Sequence, residues 1–223
     1  MSKPVLTVDF LKNESKKFSE TESKINEPSI FGITDGKAIG TYLEHKFQKY
    51  LSKKYEYETG NSAKGIDFPE LKIDMKVTSI KQPQSSCPFK TPRQKIFGLG
   101  YSLLVFVYDK TDDNKNKTSR LNILHNIFVE KEKTGDYQLT SGLLNILKNN
   151  GNKDDLIAFM SEKNLPADDI ELSRIADALL KKPLSKKFLE QGYLTISNAL
   201  QWRLQYQRII DHAGKVEGLI KLL

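Results

Sequence analysis

The sequence predicts an α/β protein with a mixed central sheet flanked by helices. Residues Leu71 to Thr78 alternate apolar and polar side chains, which is the period of a half-buried strand. Thr91 and Pro92 then predict the start of a helix, with threonine as the N-cap and proline at the first helical position. Leu99 to Tyr108 is nearly all apolar, as in a strand covered on both faces. Strand, helix and buried strand in this order indicate a βαβ-like core.

The segments around this core have clear but different patterns. Residues 11–30 are polar and approach a proline, which predicts a loosely packed arm. Residues 37–51 predict a helix, because apolar side chains recur at four-residue steps at Ile39, Leu43, Phe47 and Leu51. Residues 109–120 predict a polar surface loop, and residues 121–130 a further strand.

The C-terminal part of the chain is predicted to be helical. Helical spacing of apolar residues begins after the acidic pair Asp168 and Asp169, which suits a helix start. Thr195 to Asp211 predicts a second, longer helix. We therefore expect a single domain over residues 1–223, with its core at about 37–130 and helical elements at about 165–223.

Composition limits the classes of protein that the chain can belong to. Its 223 residues are 38% hydrophobic, enough for one sizeable core. The longest apolar stretch, Leu103 to Tyr108, is far shorter than the roughly 20 residues of a membrane helix. No secretory signal is visible at the N-terminus, and Cys87 as the single cysteine fits a cytoplasmic protein. A net charge of +7 suits a polyanionic partner such as DNA.

Three charged residues around the first predicted strand carry the candidate chemistry. Asp74 and Lys76 are two positions apart, so their side chains leave the same face of the strand. Asp67 precedes the strand by a short segment in which Pro69 disfavours helix, and a reversal there would bring Asp67 beside Asp74. Two carboxylates can hold Mg²⁺ for phosphodiester hydrolysis, and a nearby lysine can offset the developing negative charge.

Asp67, six intervening residues, and then Asp74-Met75-Lys76 resemble the motif of PD-(D/E)xK nucleases. Ile66 stands where that motif has its proline. Glu44, on the predicted helix upstream, is similar to the glutamate that many members use as a metal ligand or to orient the site. The resemblance covers about residues 37–110 and implies a restriction-endonuclease-like mixed sheet. It implies that the chain is a single nuclease domain over residues 1–223 with its catalytic core at about 37–130, and that helical elements at about 165–223 supply dimer contacts, DNA contacts or both. It also implies Mg²⁺ bound by Asp67, Asp74 and Glu44, with Lys76 positioning or activating water.

Further residues are candidates for DNA contact. Lys64, Arg93 and Lys95 flank the motif and could contact phosphates, or could be ordinary surface charges. One face of the helix predicted from Thr195 carries side chains that can read bases, or that simply form its polar face. These side chains are Asn198, Gln201, Gln205 and Arg208.

The overall form resembles a type II restriction endonuclease that cuts double-stranded DNA at a specific, palindromic site as a homodimer. Two alternatives remain open at this point: a structure-specific nuclease such as a junction resolvase or repair nuclease, and a DNA-binding module without catalysis. In the last case Asp74 and Lys76 would form only a solvated ion pair. The histidines are scattered and no phosphate-binding glycine loop occurs, so neither a zinc site nor a nucleotide cofactor is expected.

Overall fold

A computed structural model describes residues 3–60, 65–86, 89–181 and 203–223 of the protein. The α-helices in these ranges are α1 (Val8–Glu22), α2 (Gly36–Ser52), α3 (Pro92–Phe97), α4 (Tyr137–Lys148), α5 (Lys153–Glu162), α6 (Asp169–Lys181) and α7 (Gln207–His212). The strands are β1 (Ile73–Ser79), β2 (Gln84–Ser86), β3 (Ser102–Asp113), β4 (Thr118–Val129), β5 (Arg203–Gln205) and β6 (Leu219–Lys221). None of the helices in the described ranges is long and apolar enough to cross a membrane.

The central sheet is mixed, as the sequence predicts. Its described strands lie in the order β1, β3, β4, β6. Strand β1 runs parallel to β3, with α3 in the connection between them, while β4 is antiparallel to both β3 and β6. Thr91 caps α3 by accepting a hydrogen bond from the Gln94 backbone N–H, and Pro92 occupies its first turn. The predicted strand–helix–strand unit is therefore confirmed.

Each face of the sheet has its own hydrophobic core. On one face, α1 and α2 pack against β1 and β3, with Phe18, Phe47 and Phe106 in mutual ring contact. On the other face, Leu103, Val105 and Val107 of β3 share a core with residues near the C-terminus. A third cluster joins α3, α4, α5 and α6. These layers are those of a mixed α/β protein with flanking helices.

The prediction of a loosely packed arm at residues 11–30 is wrong. Most of this segment lies in α1, which buries Leu11 and Phe18. The sequence is misleading because small polar side chains on the inner face are also buried. The hydroxyl of Ser19, for example, accepts a hydrogen bond from the Asn126 amide of β4 at 2.9 Å. Such partners allow a polar helix to pack against the sheet without leaving buried groups unsatisfied.

The polar segment 109–120, predicted as a loop, is instead mainly the outer part of a β-hairpin. Strands β3 and β4 stay paired from Asp109 opposite Asn122 to Asp113 opposite Thr118. The turn is held by Asp113, whose carboxylate accepts hydrogen bonds from the backbone N–H groups of Lys115 and Asn116. The segment is polar because the end of the hairpin is exposed, and not because it lacks regular structure.

The C-terminal part is not wholly helical. A continuous helix over 195–211 is excluded, because Arg203 to Gln205 form β5 and helix α7 starts only at Gln207. Leu204 and Tyr206 are both buried, so the side chains follow a period of two at this point. Strand β6 then joins the central sheet beside β4. Residues 182–202, which include the first eight residues of the predicted helix, lie outside the described residues.

Candidate active site

Asp67 is held beside β1 by a tight reversal of the chain. Phe68 and Ile73 exchange two backbone hydrogen bonds, of 3.0 and 3.2 Å, across a turn that contains Pro69. Lys72 completes the turn with a left-handed φ of 52°. One carboxylate oxygen of Asp67, Oδ2, then accepts a hydrogen bond of 2.7 Å from the backbone N–H of Met75. The structure thus contains the reversal that the sequence predicts.

A glycine on the preceding segment allows the backbone to come very close to Asp67. The Gly60 N–H donates a 2.9 Å hydrogen bond to the Asp67 carbonyl. A Cβ atom at Gly60 would lie only 1.8 Å from the Ile66 carbonyl oxygen, so no side chain fits there without moving the backbone. The sequence analysis missed the role of Gly60 in placing Asp67.

Asp74 and Lys76 lie on β1 and form an ion pair. The distance from Lys76 Nζ to Asp74 Oδ2 is 2.8 Å, with 7% of the Asp74 side chain exposed and 25% of the Lys76 side chain. In the sheet register they are opposite Leu103 and Val105 of β3, respectively. They therefore project on the face of the sheet that carries the C-terminal core, as their spacing predicts.

Helix α2 brings two more side chains to the cluster. Glu44 is half-buried and interacts electrostatically with Lys76 and Asp74. One turn later, Gln48 Nε2 lies 3.4 Å from Asp67 Oδ1 and donates a hydrogen bond to it. Gln48 was missed in the sequence. The signal that could have found it is its four-residue spacing from Glu44, which places both on one helix face.

The carboxylates of this cluster disturb one another's ionisation. Burial, a hydrogen bond with Asp74 and the nearby negative charges raise the pKa of Asp67 to about 7, although the Met75 N–H opposes the shift. Burial is also the main cause that raises the pKa of Glu44, with the Asp74 charge adding to it and Lys76 opposing it. One lysine therefore does not offset the clustered acidic groups.

This donor set fits a divalent cation. Within the described ranges, no group of three or more His, Cys, Asp or Glu side chains is arranged to hold a metal ion. Mg²⁺, however, commonly takes one or two carboxylates and completes its shell with water and phosphate oxygens. Half-buried Asp67 and buried Asp74 supply such ligands, with Glu44 beside them. A cation between them would relieve the repulsion that raises the pKa of Asp67.

The residues predicted to contact DNA are distributed over several elements. The Arg93 guanidinium pairs with Glu171 of α6 at 2.7 Å, and Lys95 is half-buried on α3. Arg208 stacks on the Tyr137 ring, 3.6 Å from its centroid, and its buried Nε has no hydrogen-bond partner among the described residues. Gln205 lies on β5 and not on a helix. Lys64, Asn198 and Gln201 lie outside the described residues.

Comparison with known proteins defines the class to which this chain belongs. Residues 5–221 match the family described as "Type II restriction enzyme NspV", so the chain is a member of that family and a site-specific restriction endonuclease. It is 60% identical over 216 residues to a curated protein named "Type II restriction enzyme NspV" from Nostoc sp. (strain ATCC 29411 / PCC 7524). The alignment covers 97% of this chain and 96% of that relative. No solved structure matches the chain.

Proposed function

We propose that this endonuclease hydrolyses both strands of duplex DNA with Mg²⁺ held by Asp67 and Asp74. The observation that carries the proposal is the pair of half-buried Asp67 and buried Asp74, with an ammonium group 2.8 Å from Asp74. When bound, the cation would neutralise charge on the scissile phosphate and favour ionisation of water. The parallel β1–β3 pair, the reversal at Asp67 and the upstream Glu44 support a PD-(D/E)xK fold over a single nuclease domain.

The side chains have distinct roles in this proposal. Lys76 donates hydrogen bonds to the attacking water or to a phosphate oxygen, since its ammonium lies beside Asp74 and is still partly exposed. Glu44 orients the cluster or assists in holding the cation. Gln48 and the Met75 N–H fix the two oxygens of Asp67, which limits rotation of that carboxylate.

We further propose a homodimer that acts on a palindromic site, because a two-fold axis presents one active site to each strand. The chain has 35 lysines and arginines against 28 acidic residues, which suits the DNA backbone. A single cysteine is compatible with action in the cytoplasm, where thiols stay reduced.

Plasmid digestion with Mg²⁺ tests the catalytic assignment. Asp74→Ala should lower the cleavage rate at least about 1000-fold, because it removes a cation ligand worth several kcal/mol in the transition state. It should still bind the cognate duplex in Ca²⁺. Asp9→Ala, at an exposed aspartate on α1, is the matched control and should cut normally.

The same digest tests the dimer. A two-fold enzyme converts supercoiled plasmid directly to linear DNA of discrete ends, with little nicked product. Cleavage by Asp74→Ala at the wild-type rate would refute the proposed site, and accumulation of nicked plasmid by the wild type would refute concerted cutting.

A further inference from the structure

A small β-ribbon outside the central sheet has the features of a base-reading element. It consists of β2 and β5, which pair antiparallel with Gln84 opposite Gln205 and Ser85 opposite Leu204. The backbone N–H of Tyr206 extends the pairing by donating to the Pro83 carbonyl at 2.8 Å. A two-stranded ribbon of this kind fits the width of the DNA major groove.

The two faces of the ribbon differ in chemistry. Leu204 is completely buried in the C-terminal core, and the neighbouring Tyr206 hydroxyl donates a 3.2 Å hydrogen bond to Ser85 Oγ. The Ser85–Leu204 positions therefore face the protein. Because side chains alternate along a strand, Gln84 and Gln205 lie on the opposite face, together with the exposed Ser86. That face bears two glutamines at directly opposed positions.

The ribbon is anchored to the strand that carries the candidate active site. The buried Thr78 hydroxyl lies 3.4 Å from the Gln82 carbonyl oxygen and 3.3 Å from that of Gln84. Thr78 shares its face of β1 with Asp74 and Lys76, since the three residues alternate along the strand. At about 3.3 Å per residue, Thr78 lies about 13 Å along the strand from Asp74.

That spacing matches the size of a short recognition site. With one base pair every 3.4 Å or so, about 13 Å corresponds to roughly four base pairs. Lys81, in the turn that joins β1 to β2, lies 3.3 Å from Asp109 Oδ1, but 72% of its side chain is exposed, so it can exchange this surface pairing for a phosphate of the same duplex. Active site, basic turn and ribbon thus follow one another along a single segment of chain.

We propose that Gln84 and Gln205 recognise adenine bases in the major groove of the cleaved DNA. A glutamine amide both donates and accepts, so it can bond adenine N6 and N7 together. The inference rests on the catalytic site proposed above, because that site fixes the distance between the ribbon and the scissile bond. The sequence analysis expected Gln205 to contact bases from a helix face. In this proposal Gln205 does so from strand β5, with Gln84 of β2 opposite it.

A cycle of protein and base changes tests this assignment. Mapping the ends produced by the wild-type enzyme gives the recognition sequence, and each adenine in it is then replaced by 7-deazaadenine, which lacks the N7 acceptor. Gln84→Ala or Gln205→Ala should lower kcat/KM on the normal duplex by roughly 10- to 100-fold. At the adenine that the missing glutamine contacts, 7-deazaadenine should slow the wild type but not slow the variant any further.

Two controls guard against indirect effects. Gln138→Ala, at an exposed glutamine of α4, should keep the wild-type kcat/KM and the wild-type response to every 7-deazaadenine. Gln84→Met and Gln205→Met keep side-chain size without the amide, and they replace the alanine variants if thermal unfolding shows that those are not folded.

The proposal is overturned if the recognition sequence contains no adenine. It is also overturned if the glutamine variants respond to every 7-deazaadenine as the wild type does. These outcomes are independent of the catalytic assignment, since Asp74→Ala reports on that alone. If Asp74→Ala abolishes cleavage but the glutamine substitutions show no coupling with 7-deazaadenine, the catalytic assignment stands and only the role of the ribbon is refuted.

Discussion

Helix α2 contributes to two groups of carboxylates whose pKa values shift in opposite directions. Near its C-terminal end, Glu14 of α1 accepts hydrogen bonds from Tyr50, Lys54 and Lys17. Although burial raises the pKa of Glu14, these bonds lower it to about 2. At the other group, the pKa of Asp67 rises to about 7 and Lys76 is the cation at hand.

The difference separates a structural acid from the acids of the proposed metal site. The negative charge of Glu14 is balanced by Lys17 and Lys54. The carboxylate also holds α1 against α2, because Tyr50 donates a hydrogen bond to it. Half-buried Asp67 and buried Asp74 lie together with less positive charge than they need, which costs stability in the free protein. A fold keeps such an arrangement where a ligand, in our proposal a divalent cation, supplies the missing charge.

The largest effect that distinguishes the two groups is expected from their lysines. Lys76→Met should lower kcat by roughly 100- to 1000-fold, because it removes the donor that faces the developing negative charge. Lys54→Met, in the Glu14 group, should leave kcat unchanged and lower thermal stability instead. Single-turnover cleavage and thermal unfolding of both variants check this. If the two variants lose kcat equally, the difference in pKa shifts between the two groups does not mark the group that acts in cleavage.

The sequence predicts the central part of this site well, because the information is local. The alternation along β1 places Asp74 and Lys76 on one face, and Pro69 in a short connection allows the reversal that brings in Asp67. Gln48 and Gly60 were missed because their roles depend on how α2 and the segment before Asp67 pack against that residue. The spacing of Gln48 from Glu44 places both on one face of α2, but it does not say that this face meets Asp67.

The errors in the fold have a related cause. The sequence of α1 predicts a polar arm because Glu14, Ser15 and Ser19 are residue types that are usually exposed. In the structure they are buried, and their hydrogen-bond partners lie far away in the sequence. Residues 203–205 continue a helical pattern in the sequence, yet pairing with β2 and burial of Leu204 make them a strand. Tertiary contacts override local preference in both cases.

The second prediction concerns stability, where the two acids should respond in opposite directions. Glu14→Gln should destabilise the protein by about 1–2 kcal/mol, since Lys54 and Lys17 lose a charged acceptor but remain partly solvated. Asp67→Asn should leave the metal-free protein as stable or make it more stable at neutral pH, because it removes a repelled charge and keeps an acceptor for the Met75 N–H. Urea unfolding in EDTA measures both, and a loss of stability in Asp67→Asn equal to that in Glu14→Gln would contradict the contrast.

The third prediction, and the one that tests the comparison most directly, is the pH dependence of these differences. The pKa of Asp67 lies above its ordinary value of 3.8, so its contribution to stability is complete below that pH and is lost as pH rises through about 7. The pKa of Glu14 lies below its ordinary value of 4.5, so its contribution is present above that pH and is lost as pH falls through about 2. In EDTA, the stability of wild type relative to Asp67→Asn should therefore fall between about pH 4 and about pH 8. The stability of the wild type relative to Glu14→Gln should fall only on acidification below about pH 5. If the two stability differences change with pH in parallel, the charges of both acids are equally balanced and the contrast is wrong.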